Sequence, residues 1–125
     1  MVLRSAGKSR LIGVDTPEVY GDRECFGREA SAFTRRLLRP GRRVRVEHDT
    51  EERDRYGRTL IYLHLPRGRS FNELLVAEGV AVPLTIPPNV RHAERLRELG
   101  RQARERAVGL WSPRSCGGDP DLPAG

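Results

Sequence analysis

Four charged residues stand where structure alone does not ask for them: Arg10, Asp15, Glu18 and Arg58. Arg10 opens a short apolar run and Asp15 closes it. Glu18 follows in the turn Asp15-Thr16-Pro17-Glu18, and Arg58 comes directly after Gly57, at the mouth of a hairpin. Two carboxylates beside two guanidinium groups suit a phosphate and a divalent cation. A hard cation takes carboxylate and carbonyl oxygens. A five-coordinate phosphorus wants positive charge on its equatorial oxygens, and a nearby carboxylate can position or deprotonate an attacking water. Spacing alone fits a blander arrangement better, with Arg10–Asp15 and Glu18–Arg58 as ordinary surface ion pairs.

The elements that must hold these residues can be read along the chain. Residues 10–15 have apolar residues on both faces and read as a strand stopped at Pro17, which lacks an N–H for a ladder. A loop rich in Gly and charge covers 19–27. Ala30, Phe33, Leu37 and Leu38 recur at helical spacing and predict a helix over 28–38, ended by Pro40-Gly41. Residues 43–48 alternate, with Val44 and Val46 inward. A charged connector over 49–58 leads to the returning strand 59–65. Gly68 makes the next turn. Ser70-Phe71-Asn72-Glu73 has the form of a capping box opening a helix over 71–78 that ends at Gly79. Residues 80–82 read as a brief strand cut by Pro83, and 85–88 as extended. Asn89 is expected to cap a last helix reaching about Val108. Gly100 inside that helix costs about 1 kcal/mol relative to Ala and so demands packing. Trp111 is expected as a core anchor. The element order fits an α+β domain over residues 1–112, a small barrel with helices packed on it, followed by a flexible tail over 113–125.

The chain of 125 residues suits one domain, and its 37% hydrophobic and 32% charged residues are not a disordered composition. The longest apolar runs are four or five residues, so no membrane-spanning helix is expected. The first residues hold no apolar stretch able to act as a signal-peptide core, so the chain as written reads as soluble with no export signal. Lys+Arg number 23 against 17 Asp+Glu, and Lys8 is the one lysine. Arginine forks suit phosphate, which makes nucleic acid a fair partner, although a bias toward arginine at solvent positions explains the composition equally well. The run Arg35-Arg36, Arg39, Arg42-Arg43 could track a nucleic-acid backbone or merely solvate a helix face. Arg101, Arg104 and Arg106 among Glu98 and Glu105 read as helix ion pairs. His48, His64 and His92 lack ligand spacing. Residues 49–54 lack the Gly and terminal Glu of an EF-hand and read as a solvated turn. Cys25 and Cys116 fit no metal pattern; a disulfide and two free thiols both remain open.

Several stretches, taken together and in order, resemble the thermonuclease (staphylococcal nuclease-like) family. They are Arg10-Leu-Ile-Gly-Val-Asp15-Thr16-Pro17-Glu18, Glu29-Ala30-Ser31-Ala32-Phe33-Thr34, Asp54-Arg55-Tyr56-Gly57-Arg58, Asn72-Glu73-Leu74-Leu75 and Gly109-Leu110-Trp111. Leu84 to Arg91 is similar to a bacterial branch of it, and the likeness runs from about residue 10 to 112. It implies an OB-fold barrel of about five strands with three helices, and calcium-dependent hydrolysis of DNA and RNA by a monomer with no membrane partner. By position, it implies Asp15 and the Thr16 carbonyl as calcium ligands and Glu18 as the residue engaging the attacking water. Arg10 and Arg58 would lie on the scissile phosphate, and Arg55 and Tyr56 on a terminal phosphate.

The sequence departs from the family in two places. The family carries a D-G-D-T segment upstream, which supplies a further calcium carboxylate. Here nine residues precede Arg10 and none is Asp or Glu. The first strand, part of the second and one metal ligand are therefore expected to be missing, which weakens calcium binding. Either the recorded start lies downstream of the true one, or the chain is a remnant with little hydrolysis, a nucleic-acid-binding OB-fold module. Thr85, Ile86 and Pro87 also stand where the family has tyrosines on the base side, so base stacking there is expected to be weaker. The resemblance points outside the cell, while the chain itself sets no location.

Overall fold

In the computed structural model, which describes residues 2–3, 7–16 and 26–115, the elements in chain order are β1 (Val2–Leu3), β2 (Gly7–Leu11), β3 (Val14–Asp15), α1 (Gly27–Leu37), β4 (Arg45–Glu47), β5 (Thr59–Leu65), β6 (Arg69–Ser70), α2 (Phe71–Ala77), β7 (Val82–Pro83) and α3 (Ala93–Glu105). The α+β class read from the sequence is the class observed. β5 is the spine because Thr-Leu-Ile-Tyr-Leu-His-Leu is apolar on both faces; Ile61, Tyr62, Leu63 and Leu65 are all buried. β4 lies antiparallel on it with Val46 opposite Leu63, and β2 lies parallel to it with Arg10 opposite Leu60. β6 returns on the far end of β5 after a turn at Arg67-Gly68, both with positive φ.

The expected barrel is not seen to close among the described residues. The ladder runs along the open path β1-β2-β5-β4, and β3 pairs with β7 in a separate two-stranded sheet. The strand expected over 10–15 is two strands, because Gly13 (φ +81°) turns the chain between them. β2 reaches back to Gly7, where it meets the two-residue β1. After this break Asp15 pairs with Val82 of β7 rather than continuing the β2 ladder.

The helices cover the sheet. Phe71, Leu75 and Val76 of α2 and Leu96 of α3 are fully buried against Ile61, Leu63 and Leu65. Phe33 and Leu37 of α1, with Leu38 at its C-terminal end, pack at the margin of the same core. Gly100 finds the packing its cost requires: a Cβ there would lie 2.5 Å from Pro83 Cγ. Ser70 caps α2 by accepting from Glu73 N at 3.2 Å, but the Glu73 carboxylate binds Arg95.

Asn89 does not cap α3, which starts at Ala93. Its side chain instead accepts from Glu51 N (2.8 Å) and donates to Glu51 O (3.0 Å), stapling two loops together. The core anchor near the C-terminus is Leu110 rather than Trp111. Leu110 is fully buried and donates its N–H to Gly79 O at 2.9 Å, whereas Trp111 is half-buried with Arg104 over its ring. Cys25, Cys116 and residues 116–125 of the expected tail lie outside the described residues.

Candidate functional site

The parallel register of β2 on β5 puts Ser9 beside Thr59, so Arg10, one residue after that pair on β2, and Arg58, one residue before it at the entry to β5, arise next to each other. The Gly13 turn brings Asp15 back toward them. As a result Arg10, Asp15, Thr16 and Arg58 line one cavity of about 450 Å³, with Ser9 and Thr34 among its other walls. These are four of the five residues expected at the reacting centre. The fifth, Glu18, lies outside the described residues.

Each guanidinium is anchored by groups on its own side. Arg10 donates Nη1 to the Leu11 carbonyl at 2.9 Å, with the Val14 carbonyl at 3.5 Å. Arg58 donates Nε to Asp54 Oδ2 at 2.7 Å, and its backbone N donates to Asp54 Oδ1 at 2.9 Å. The same Oδ1 accepts from Tyr56 N at 2.9 Å, while Gly57, at φ +79°, lets the loop close with Gly57 N on Asp54 O. Burial alone would raise the Asp54 pKa, but the hydrogen bonds from Arg58 and Tyr56 outweigh it and hold the carboxyl below its usual range. Of the two surface pairs that spacing favours, Glu18–Arg58 lies outside the described residues. Among the described residues Arg10 and Asp15 make no ion pair, and Arg58 pairs with Asp54.

Arg10 and Arg58 are also the wall shared with a second cavity of about 320 Å³, whose other sides include Arg55, Tyr56, Leu60 and the run Ile86-Pro87-Pro88. Arg55 donates Nη2 to the Tyr56 hydroxyl at 2.7 Å, with its guanidinium 4.9 Å from the centre of that ring; the Arg58 guanidinium is 5.6 Å from it. Tyr56 itself is 69% exposed. A charged cavity beside a more apolar one, with Arg10 and Arg58 lining both, can seat a phosphate in the first and an organic group attached to it in the second.

Asp15 is exposed, and its carboxylate has no hydrogen bond or ion pair among the described residues. Thr16, next in the chain, lines the same cavity, and a carboxylate beside a backbone carbonyl is the donor chemistry a divalent cation takes, completed by water and phosphate oxygens. No group of three or more His, Cys, Asp or Glu among the described residues could hold a metal, and Asp15 is the carboxylate that the described residues bring to this cavity.

Two of the three histidines, His64 and His92, converge despite their separation in sequence, while His48 lies by Glu52. His64 and His92 each approach one oxygen of Glu47, at 2.7 and 3.0 Å, and Arg91 binds the same carboxylate at 2.8 Å. Burial would raise the Glu47 pKa, but the bonds from Arg91, His64 and His92 carry it down to about 2. Asp49 beside it accepts from the Tyr62 hydroxyl at 2.7 Å and from Arg91 N.

Two residues that position the site had been read only as parts of motifs. One is Asp54, the clamp on Arg58. The other is Asn72, which is 1% exposed, accepts from Leu63 N at 2.9 Å and donates to Ile12 O at 2.8 Å, tying the turn between β2 and β3 to the spine. A buried Asn carries that signal only once its partners are known, since capping box and helix periodicity both place it without a role.

Comparison with known proteins adds to this geometry. The family model described as staphylococcal nuclease homologue matches residues 8–113. The chain is 42% identical over 106 residues to the thermonuclease of Staphylococcus hyicus, covering 82% of this chain and 62% of that protein. It is 38% identical over 105 residues to the thermonuclease of Staphylococcus intermedius, covering 82% and 61%. Endonuclease YncB of Bacillus subtilis (strain 168) is 32% identical over 108 residues, covering 82% and 50%. The chain thus spans between half and two-thirds of the length of these relatives.

Proposed function

The chain belongs to the staphylococcal nuclease homologue family, and on that premise we propose that it is a calcium-dependent nuclease hydrolysing phosphodiester bonds of DNA and RNA. The observation that supports this most is the single cavity shared by Arg10, Asp15, Thr16 and Arg58. The scaffold proposed is the family's OB-fold barrel, with β2, β4 and β5 among its strands. The domain is taken as residues 1–112.

Asp15 and the Thr16 carbonyl would hold the calcium ion, which when bound supplies Lewis-acid polarisation of a phosphate oxygen. Arg10 and Arg58 bind the scissile phosphate and match the negative charge that builds on its oxygens. Glu18 orients the attacking water and takes its proton. The water oxygen bonds to phosphorus as the P–O bond to the 5′ oxygen breaks, and the departing 5′ oxygen takes a proton from solvent water. Arg55 and Tyr56 engage a further phosphate of the nucleotide from the second cavity. Pre-anchored guanidinium groups lose little on binding, because their hydrogen bonds to Asp54 and to the Leu11 carbonyl already fix their stems.

The test is cleavage of single-stranded DNA with calcium and with a chelator, alongside Glu18→Gln. Turnover requiring calcium and falling about 10²–10⁴-fold in the variant, with strand affinity unchanged, is the expected result. Turnover equal in the variant removes Glu18 from the mechanism. Strand binding with no turnover under any metal replaces the nuclease reading with that of a binding module.

A further inference from the structure

The positive charge of this chain sits in one place. Residues 30–46 hold six arginines, Arg35, Arg36, Arg39, Arg42, Arg43 and Arg45, and no Asp or Glu, so this stretch carries the whole formal net charge of +6 and the rest of the chain balances to zero. The contrast with α3 is direct. There Arg101 is paired with Glu98 and Glu105, and Arg95 reaches Glu73. None of the six arginines of residues 30–46 makes an ion pair among the described residues. Arg42 binds the Leu37 carbonyl at the end of α1, and Arg36 lies over the Phe33 ring; the other four are exposed with no polar partner among the described residues. Concentrated, unpaired charge of one sign repels itself and gains only from an oppositely charged partner.

That surface is continuous with the site. Thr34, one residue before Arg35, is a wall of the cavity that Arg10, Asp15 and Arg58 share. From this continuity we infer that α1 and the loop into β4 form a rail for a nucleic-acid strand, taking phosphates that neighbour the scissile one. Arg35 and Arg36 stand in the last turn of α1, and Arg39, Arg42, Arg43 and Arg45 follow through the loop to the first residue of β4. Six guanidinium groups beyond the cavity offer more partners than a short nucleotide ester has phosphates, so the ligand class is a polynucleotide strand. The rail deepens the nuclease reading and rests on it for the placement of the scissile phosphate.

The experiment uses the full chain in chelator, so that binding is read without cleavage, with a long single-stranded DNA and a dinucleotide as probes. Arg35, Arg39 and Arg43 are changed together to Gln, and in a second variant to Lys. The slope of log affinity against log salt for the long strand is expected to become shallower by about 2 in the Gln variant. The affinity lost between about 50 and about 200 mM salt then shrinks about 20-fold. The Lys variant keeps the original slope, and dinucleotide affinity stays the same in all three proteins. A Gln variant with an unchanged long-strand slope overturns the rail, and so does a loss confined to binding of phosphatidylglycerol vesicles, which would mark a membrane surface. Because the readout is binding, an altered slope in a chain that never cleaves DNA keeps the rail and ends the nuclease reading. Cleavage with an unaltered slope does the reverse.

Discussion

Asp54 shows how one side chain fixes another. Its two oxygens take three hydrogen bonds from Tyr56 and Arg58, one of them at 2.7 Å to the guanidinium that faces the cavity. Arg58→Ala should lower turnover about 10²–10³-fold, the cost of losing one donor to a developing oxyanion. Asp54→Ala should act through Arg58: turnover falls about tenfold or more, and adding the change to Arg58→Ala costs little further, because the two act as a unit. Steady-state kinetics of the single and double variants check this. A large extra loss in the double variant would mean that Asp54 works independently. The identities of Arg10, Asp15, Thr16 and Arg58 were legible because their two motifs are specific when found together. The hydrogen-bond economy of Asp54 was not, since a motif states which residue is present and not which of its neighbours' N–H groups it collects. Likewise the histidines were set aside on spacing, and only the pairing of β4 with β5 and the loop before α3 brings two of them to Glu47.

The elements carry the site by a break and a tie. Gly13 divides one apolar run into β2 and β3, and Asn72 holds that turn to β5 from inside the core. Asn72→Leu leaves the Leu63 N–H and the Ile12 carbonyl without this partner, so a loss of about 2–4 kcal/mol is expected in urea unfolding; a loss under 1 kcal/mol would show that the tie is dispensable. Gly100→Ala would ordinarily gain about 1 kcal/mol in a helix. Here the added methyl meets Pro83 at 2.5 Å, so a net loss of about 1–3 kcal/mol is expected, read as a lowered unfolding midpoint. Helical periodicity and the alternation of Val44 and Val46 made α1, α2, β4 and β5 legible within a few residues of their observed ends. The run 10–15 misled because its glycine is flanked by apolar residues that suit a strand as well as a turn. Asn89 misled because a good capping residue four positions before a helix was instead taken by Glu51.

Taken whole, the molecule separates its two electrostatic tasks. Glu47 gathers Arg91, His64 and His92 and locks the segment leading into α3 onto β4, while residues 30–46 keep their arginines open. Glu47 falls from an ordinary 4.5 to about 2 in the folded chain, so its contribution to stability is complete above about 4.5 and is lost as pH drops from there toward 2. Unfolding measured across that window should lose stability, and Glu47→Gln should flatten the loss; an identical slope in both proteins would remove Glu47 from the acid response. The sequence revealed both the arginine run over residues 30–46 and the pairing of charges on α3, but not that the run adjoins the cavity at Thr34, because that contact is made by the packing of α1.

Nuclease action as proposed requires Arg10, on β2, and Arg58, just before β5, to act on one phosphate, and the turnover of Arg10→Ala, Arg58→Ala and their double variant on single-stranded DNA with calcium tests this most directly. Each single change should cost about 10²–10³-fold and the double much less than the product of the two. Losses that multiply, or a single variant that cleaves as fast as the parent, would contradict it.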